Sequence, residues 1–382
     1  MQLLRRLFVS LMTVALSISC ATLFAQPVIH HPSSLQSLES KWRWALKEVS
    51  DQKLQKGVWI GYAIQRWMGK NSTIGSFDAV SGRTDSSLHE RIYGQREEQG
   101  DEIGEESVRH EAKRALERAN DERSEEKIPK GIAILFGFDP PPGDFTQPRK
   151  IVVANLSMSI DLSDRPLIWL GRAQDEESVL FLEQFFINVK SIKLKERLLF
   201  AISIHDSSER AQKILRDLVV QSDHERLRAS AAFFLGERNR DEDISLLQKV
   251  ILHDRSREVR EKAVFGLSRM ESDAAVDALI ALARHGEETD MKEKALFWLS
   301  EKASERVVPT LREIAAGDQE IEIQRQAVFA LSRLKHGDGV KELIEIAKNH
   351  KVPEIRRQAI FWLGRSEDDR AIDFLVELVR RK

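Results

Sequence analysis

The chain has 382 residues, of which 42% are hydrophobic and 31% are charged. Its 59 basic and 61 acidic residues nearly cancel, so the net charge excludes a strong field for attracting nucleic acid or anionic lipid. The single cysteine, Cys20, lies in an N-terminal segment that we expect to be removed. Disulfides, thiol catalysis and thiolate metal sites are therefore excluded for the mature chain.

Residues 1–25 have the pattern of an export signal. Arg5 and Arg6 supply the positive start, residues 7–18 form the apolar core, and Ala25 precedes the predicted cleavage point, with Ala21 as an alternative. The core is too short for a transmembrane span. The residues before Cys20 fit a lipoprotein signal poorly, so we expect membrane attachment only if Cys20 is lipidated. The sequence thus predicts an exported protein, periplasmic or secreted.

Residues 26–162 are predicted to form a small α+β region. An amphipathic helix around Trp42 comes first. Gly61 lies inside the apolar segment that follows, which predicts a bulge or the close approach of another backbone. Three apolar segments predict an antiparallel sheet, namely residues 58–67, 131–138 and 150–162.

Residues 69–130, between the first two predicted strands, are polar and densely charged. A segment of this composition buries too little apolar surface to fold by itself. We therefore expect an exposed insertion that is partly disordered. Its role is either that of a partner-binding segment or that of a solvated loop.

A repeated unit occupies residues 163–382. Five copies carry the string A-x-F-x-L-[G/S] at a spacing of 32 residues, and two less regular copies around Ile202 and Leu170 precede them. The second half of each unit has apolar residues at i, i+3 and i+7, which is one face of a helix. Gly236 and Gly364 are predicted to end the first helices of their copies. A fixed period of this length predicts a solenoid.

In three units the first helix places an acidic, an apolar and a basic residue before the repeated alanine, as in Glu258, Val259 and Arg260, and a fourth unit departs only at the last position, Gln324. This pattern, in a helix pair, resembles the HEAT-repeat family in its bacterial form, which includes the repeats of phycobilisome lyases. The resemblance implies a mainly α fold, a right-handed α-solenoid of about seven two-helix repeats whose second helices line the concave side. The N-terminal α+β region is then expected to cap it. With the export signal, the arrangement is similar to secreted bacterial HEAT-repeat proteins of unassigned activity.

Residues with catalytic potential are scarce in the repeats. HEAT proteins with a di-iron site carry His-Glu pairs in register in successive repeats, whereas His224 and Glu225 form the one such pair in these repeats. Glycine-rich phosphate loops, nucleophile elbows and H-E-x-x-H strings do not occur. We therefore predict no catalytic residues, metal ligands or cofactor.

The face of the second helices that points away from the apolar residues is the predicted partner-binding surface. Two neighbouring positions recur there through the repeats and give a mainly acidic stripe. The predicted binding residues are Asp277, Glu313, Lys341, Glu345, Asp373 and Glu377. Lys348 and Arg380 follow Glu345 and Glu377 by three residues, so ordinary surface ion pairs are the alternative.

The last helix has apolar residues on more than one side. A helix whose outer side faces solvent needs them only on the side that packs against its own repeat. We predict that Phe374 and Val376 contact a second copy of the chain or another protein; the alternative is that they fold back onto the preceding repeat. We interpret the chain as a non-catalytic protein-protein interaction scaffold of the bacterial cell envelope, with a protein partner and no nucleic acid. The alternative is an enzyme, or a lyase-like enzyme subunit, with a site at the junction of cap and solenoid.

Overall fold

The computed structural model describes residues 28–51, 57–75, 87–93, 127–139, 145, 147–162, 165–302 and 304–380. The contacts divide the chain into two units, Met1–Arg210 and Ala211–Lys382. The predicted export signal lies outside the described residues, as does most of the predicted insertion. No helix in the described part of the chain is long and apolar enough to cross a membrane.

The first unit contains a five-stranded sheet with the strand order β1-β5-β2-β3-β4. The strands β2, β3 and β4 are antiparallel neighbours, whereas β5 runs parallel to β2 and to β1. Four helices accompany the sheet. The strands are β1 (Val28–His30), β2 (Val58–Gly69), β3 (Lys127–Phe138), β4 (Lys150–Asn155) and β5 (Leu167–Arg172), and the helices are α1 (Leu38–Asp51), α2 (Leu88–Tyr93), α3 (Asp175–Asn188) and α4 (Ile192–Ser203).

The predicted three-stranded sheet is therefore too small by two strands. β5 was predicted as the first helix of the first repeat, and this placement was wrong. Its residues Leu167–Leu170 are all buried, because the sheet is covered on both faces. A strand buried on both faces is a continuous apolar run, which sequence periodicity cannot distinguish from a buried helical segment.

Aromatic side chains cover one face of the sheet. The Trp42 ring of α1 meets the Phe136 ring of β3 edge-on at 5.4 Å between centroids, and the Phe185 ring of α3 at 5.2 Å. Edge-to-face contacts of this kind add about 0.5–1.5 kcal/mol each to the burial of the rings. The predicted amphipathic helix around Trp42 is thus confirmed, and its apolar side packs on the sheet.

The opposite face of the sheet is covered by part of the predicted insertion. Leu88 and Ile92 of α2 are buried with Trp59 and Trp169 in one hydrophobic cluster. The indole Nε1 of Trp169 also donates to the hydroxyl of Tyr93, 3.1 Å away. Leu88 and Ile92 therefore belong to the core, contrary to the expectation that the whole insertion is exposed.

Gly61 is the site of the irregularity that the sequence predicts in β2. The register between β2 and β5 shifts between Gly61 and Ala63. A Cβ atom at Gly61 would lie 2.3 Å from Cδ2 of Leu135 on β3. The predicted bulge is confirmed, and the closest neighbour of Gly61 is a side chain rather than the predicted backbone.

The regular secondary structure in the described residues of the second unit is entirely helical. After α5 (Glu209–Gln221) five helix pairs follow, and each first helix carries one copy of the A-x-F string. The pairs are α6 (Glu225–Glu237) and α7 (Ile244–His253), α8 (Arg257–Arg269) and α9 (Asp273–His285), α10 (Thr289–Leu299) and α11 (Val307–Gly317), α12 (Ile321–Arg333) and α13 (Val340–Asn349), and α14 (Pro353–Leu363) and α15 (Asp369–Arg380).

The repeated residues form the core of these pairs. The alanines of the five strings, Ala231 among them, are fully buried, and so are Leu247, Leu279 and Leu311 of the second helices. The predicted mainly helical fold with a small N-terminal sheet region is confirmed.

Gly236 has a different role from the predicted one. It lies inside α6, which ends at Glu237. A Cβ atom there would lie 2.2 Å from the carbonyl oxygen of Gly266 on α8. Gly236 therefore permits the backbones of α6 and α8 to touch. Gly364, in contrast, is the C-terminal cap of α14, as predicted.

Candidate functional site

No group of three or more His, Cys, Asp or Glu residues in the described ranges could hold a metal ion. His224 is the residue that precedes α6, and Glu225 is the first residue of that helix.

A buried polar chain in the first unit has no signature in the sequence. The hydroxyl of Ser178 on α3 lies 2.8 Å from the hydroxyl of Tyr62 and 2.8 Å from Nε2 of His205. Burial raises the pKa of Tyr62 well above its ordinary value, and the hydrogen bond with Ser178 only partly offsets it. The three side chains are at most 1% exposed, so a substrate cannot reach them. Their arrangement links β2, α3 and the turn after α4.

The predicted binding surface is exposed along its whole length. We call it the second-helix face and define it by two positions in each of five successive helices. All ten side chains are exposed, while the opposite side of each helix faces the core. The ten residues are Ser245 and Lys249 of α7, Asp277 and Ala281 of α9, Pro309 and Glu313 of α11, Lys341 and Glu345 of α13, and Asp373 and Glu377 of α15.

Arginines neutralise part of this face. Nη2 of Arg284 lies 2.7 Å from Oε2 of Glu313, and Arg306 pairs with Asp277. Hydrogen bonds to Asp277 raise the pKa of Arg306 above its ordinary value. These exposed pairs contribute little stability, but they remove negative charge from α9 and α11. The sequence suggests Lys348 as a neutralising group, whereas its ammonium lies over the Phe374 ring, 5.5 Å from the centroid.

At α13 and α15 the face carries the acidic residues Glu345, Asp373 and Glu377 beside the basic Lys341. Glu345 accepts a hydrogen bond from Nδ2 of Asn349 at 3.0 Å, which leaves its negative charge in place. Asp373 and Glu377 are exposed on the next second helix. A partner that recognises this end of the face should present basic or amide groups.

The other end of the face has an apolar cavity. It lies between α7 and α9 and has a volume of about 190 Å³. Leu252, Ala281 and His285 contribute to its wall, and Leu252 is 54% exposed. A space of this size accepts one aliphatic side chain of a bound protein. The face thus combines an apolar end with an acidic end.

The predicted contact residue Phe374 is not available to a partner. It is only 8% exposed and packs against the preceding repeat beneath Lys348, so for Phe374 the fold-back alternative is correct. Val376, the second predicted residue, is 44% exposed. The helical period separates the two residues by roughly 200° around α15, which explains why their environments differ.

Four of the five first helices have a basic residue at one repeated position, where α12 has Gln324, and these basic residues have a structural role. Nη1 of Arg228 donates to the carbonyl oxygen of Ser222 at 2.8 Å, and Nη1 of Arg260 donates to that of Asp254 at 2.8 Å. Lys292 pairs with Asp318 at 3.0 Å, and Arg356 donates to the carbonyl oxygen of His350. These basic side chains therefore hold the loops between successive repeats in place. The spacing of these residues is visible in the sequence, but the groups that they bind are not.

A second cavity, of about 480 Å³, lies between α12 and α14 and includes Arg333, Trp362 and Asp368 in its wall. The Arg370 guanidinium lowers the pKa of Asp368 to about 2. Arg370 donates to both carboxylate oxygens, so Asp368 is engaged as an ionised partner and is poorly suited to act as a general base.

Comparison with known proteins agrees with this architecture. Residues 212–300 and 308–382 match a family model described as HEAT repeats. These residues are HEAT repeats. A search of curated proteins finds no match.

About half of the chain is also similar to solved structures. Human deoxyhypusine hydroxylase in complex with glycerol is 18% identical, with coverage of 53% of this chain and 77% of that chain and a TM-score of 0.24. The complex of CpcE and CpcF of phycocyanin lyase from Nostoc sp. PCC7120 is 18% identical, with coverage of 50% and 76% and a TM-score of 0.31. These likenesses concern the helical fold alone.

Proposed function

We propose that the protein is a non-catalytic protein-interaction scaffold of the bacterial cell envelope that binds its partner through the second-helix face. The observation that carries this proposal is the exposure of all ten residues of that face on five successive helices. HEAT repeats commonly mediate protein-protein interactions, and a repeat array of this kind offers an extended surface to a macromolecule.

The composition of the face supports a protein as the occupant. It offers a small apolar cavity at α7 and α9, and carboxylates at α13 and α15. Protein interfaces combine apolar anchor pockets with polar contacts that select the partner. The partner expected here carries an apolar side chain for the cavity and basic residues for the acidic end.

Removing the acidic end should weaken partner binding. The variant Glu345→Ala/Asp373→Ala/Glu377→Ala is expected to bind its partner roughly tenfold to a hundredfold more weakly, since each exposed charge pair contributes up to about 1 kcal/mol. The remaining binding should depend less on salt, because fewer charges are screened. The measurement is crosslinking in cells, affinity purification of the tagged protein, and titration of the recovered partner at several salt concentrations.

A matched control removes three acidic residues elsewhere in the same unit. Glu258, Glu287 and Glu305 are exposed and lie outside the second-helix face. Their replacement by Ala changes the net charge by the same amount and should leave partner recovery unchanged. Equal losses in both triple variants, or no loss in either, would contradict the proposed face.

The envelope location rests on residues 1–25 and has a direct test. We expect the mature protein to begin at Gln26, because Ala25 precedes the predicted cleavage point. Intact mass and N-terminal sequencing of the protein from fractionated cells will show the processed end. A full-length chain that retains Met1 in the cytoplasmic fraction would refute export.

A further inference from the structure

The last second helix, α15, exposes apolar residues at positions that are buried in the helices before it. Val340 and Ile346 of α13 are 5% and 6% exposed, whereas Ile372 and Leu378, 32 residues later, are 48% and 38% exposed. Val379, which corresponds to the buried Ala347, is 74% exposed. In α13 these positions are covered by the following helix pair, and no helix in the described residues covers them in α15.

Two of these side chains form a continuous stripe together with Val376, which is 44% exposed. Ile372, Val376 and Val379 are spaced at i, i+4 and i+7, so they lie along one side of α15. Phe374 and Ala371 are buried on another side of the helix. The stripe is therefore a surface additional to the one that holds α15 in its own repeat.

The charges that flank this stripe identify its occupant. Asp369 and Arg380 are both exposed. On a helical wheel they lie on the same side of the stripe, at roughly 60° and 80° from Ile372. Two identical helices that pack antiparallel bring such same-side residues together, so Asp369 of each copy would meet Arg380 of the other.

We infer that α15 packs antiparallel against α15 of a second copy of this chain. The apolar stripe is self-complementary about a two-fold axis, as an isologous interface requires. The antiparallel arrangement forms two Asp369-Arg380 pairs and sets each acidic helix start beside a basic helix end. A parallel arrangement would place these residues of the two copies on opposite sides of the stripe, where the Asp369-Arg380 pairs could not form. The net charge is −2 for the full chain and becomes −4 when Arg5 and Arg6 are removed with the predicted export signal, which opposes pairing of two copies only weakly.

The interface is that of a transient dimer. One helix face buries less than the approximately 800 Å² per partner of a standard stable interface. Self-association should therefore depend on protein concentration in the micromolar range. This inference is tested separately from the proposed second-helix face, because the variants at Asp369, Val379 and Arg380 leave the ten residues of that face unchanged.

Sedimentation velocity of the mature protein over a range of concentrations tests the inference. The single variants Asp369→Arg and Arg380→Glu should each raise the dimer dissociation constant roughly tenfold, and the double variant should restore it to within about threefold of the wild-type value. Val379→Glu should abolish the dimer. Circular dichroism will verify that each variant keeps its helical content.

The matched control is Val220→Glu. Val220 is 63% exposed but lies on α5, so this variant should dimerise like the wild type. A monomer at every concentration would overturn the inference. A double variant that remains as weak as the single variants would also overturn it, and would point to another protein or another segment of this chain as the occupant of the stripe.

Discussion

Replacing Asp254 by Asn is expected to lower the free energy of unfolding of the second unit by about 3 kcal/mol. This is the typical cost when a buried ion pair loses one of its two partners. Oδ2 of Asp254 lies 2.8 Å from Nε of Arg228, and Oδ1 lies 3.1 Å from Nη2. Both side chains are less than 10% exposed. Asn keeps the shape of Asp254 but leaves the Arg228 charge without its counter-ion.

The Asp254-Arg228 pair should also make the stability of the second unit sensitive to acid. Burial raises the pKa of Asp254, but hydrogen bonds from Arg228 and from the Ser256 N–H lower it by more, so the folded-state pKa lies below its ordinary value. Its contribution to stability is therefore fully present above about pH 4. It is lost as the pH falls through the lower folded-state pKa. Asp254→Asn should remove this part of the pH dependence.

Chemical denaturation at pH 7 and at pH 3 measures both effects. The control is Glu322→Gln, because Glu322 pairs with Arg325 at 3.2 Å on the surface, where the two side chains are 56% and 43% exposed. That variant should change the free energy of unfolding by less than about 0.5 kcal/mol. Equal effects of the two substitutions would refute a special role for the buried pair.

Replacing Gly236 by Val should lower the free energy of unfolding of the second unit by about 3 kcal/mol. This value lies in the upper part of the range that is usual when a side chain is added to a packed core. The added Cβ would lie 2.2 Å from the Gly266 carbonyl oxygen, and the atom it meets belongs to a helix backbone. The helices α6 and α8 would have to separate. Thermal denaturation of the purified protein should show a lower midpoint for this variant.

Gly317→Ala is the matched control, and it should have the opposite sign. Gly317 ends α11, and a Cβ atom added there would have no neighbouring atom within 4 Å. Alanine at this position should stabilise the protein by about 0.4–1 kcal/mol, because it restricts the unfolded chain. If Gly236→Val proves as stable as Gly317→Ala, the close contact of α6 and α8 is not essential to the fold.

The helix pairs of the second unit were predictable because their apolar residues repeat with a fixed period. Ala231 and its equivalents, and Leu247 and its equivalents, are buried as predicted. The exposure of the second-helix face follows from the same period, since residues opposite a buried column must face outward. Local periodicity therefore predicts which side of a helix is buried.

Interactions between distant residues were not predictable in this way. The pairing of Arg284 with Glu313 joins residues of different repeats, and no local pattern marks it. The hydrogen bonds from Ser178 to Tyr62 and His205 depend on the packing of α3 on the sheet. The strand β5 was mistaken for a helix because its buried residues have no alternation. In each case the tertiary environment, rather than local spacing, determines the outcome.

Site-specific photo-crosslinking in cells tests the proposed scaffold most directly. A crosslinking residue at Ala281 or Pro309 of the second-helix face is compared with one at Lys262 or Glu258 of α8, all four positions being exposed. We predict that the face positions yield one defined protein adduct from the cell envelope and that the α8 positions do not. Adducts of equal yield from α8, or the absence of a protein adduct from every position on the face, would contradict the account.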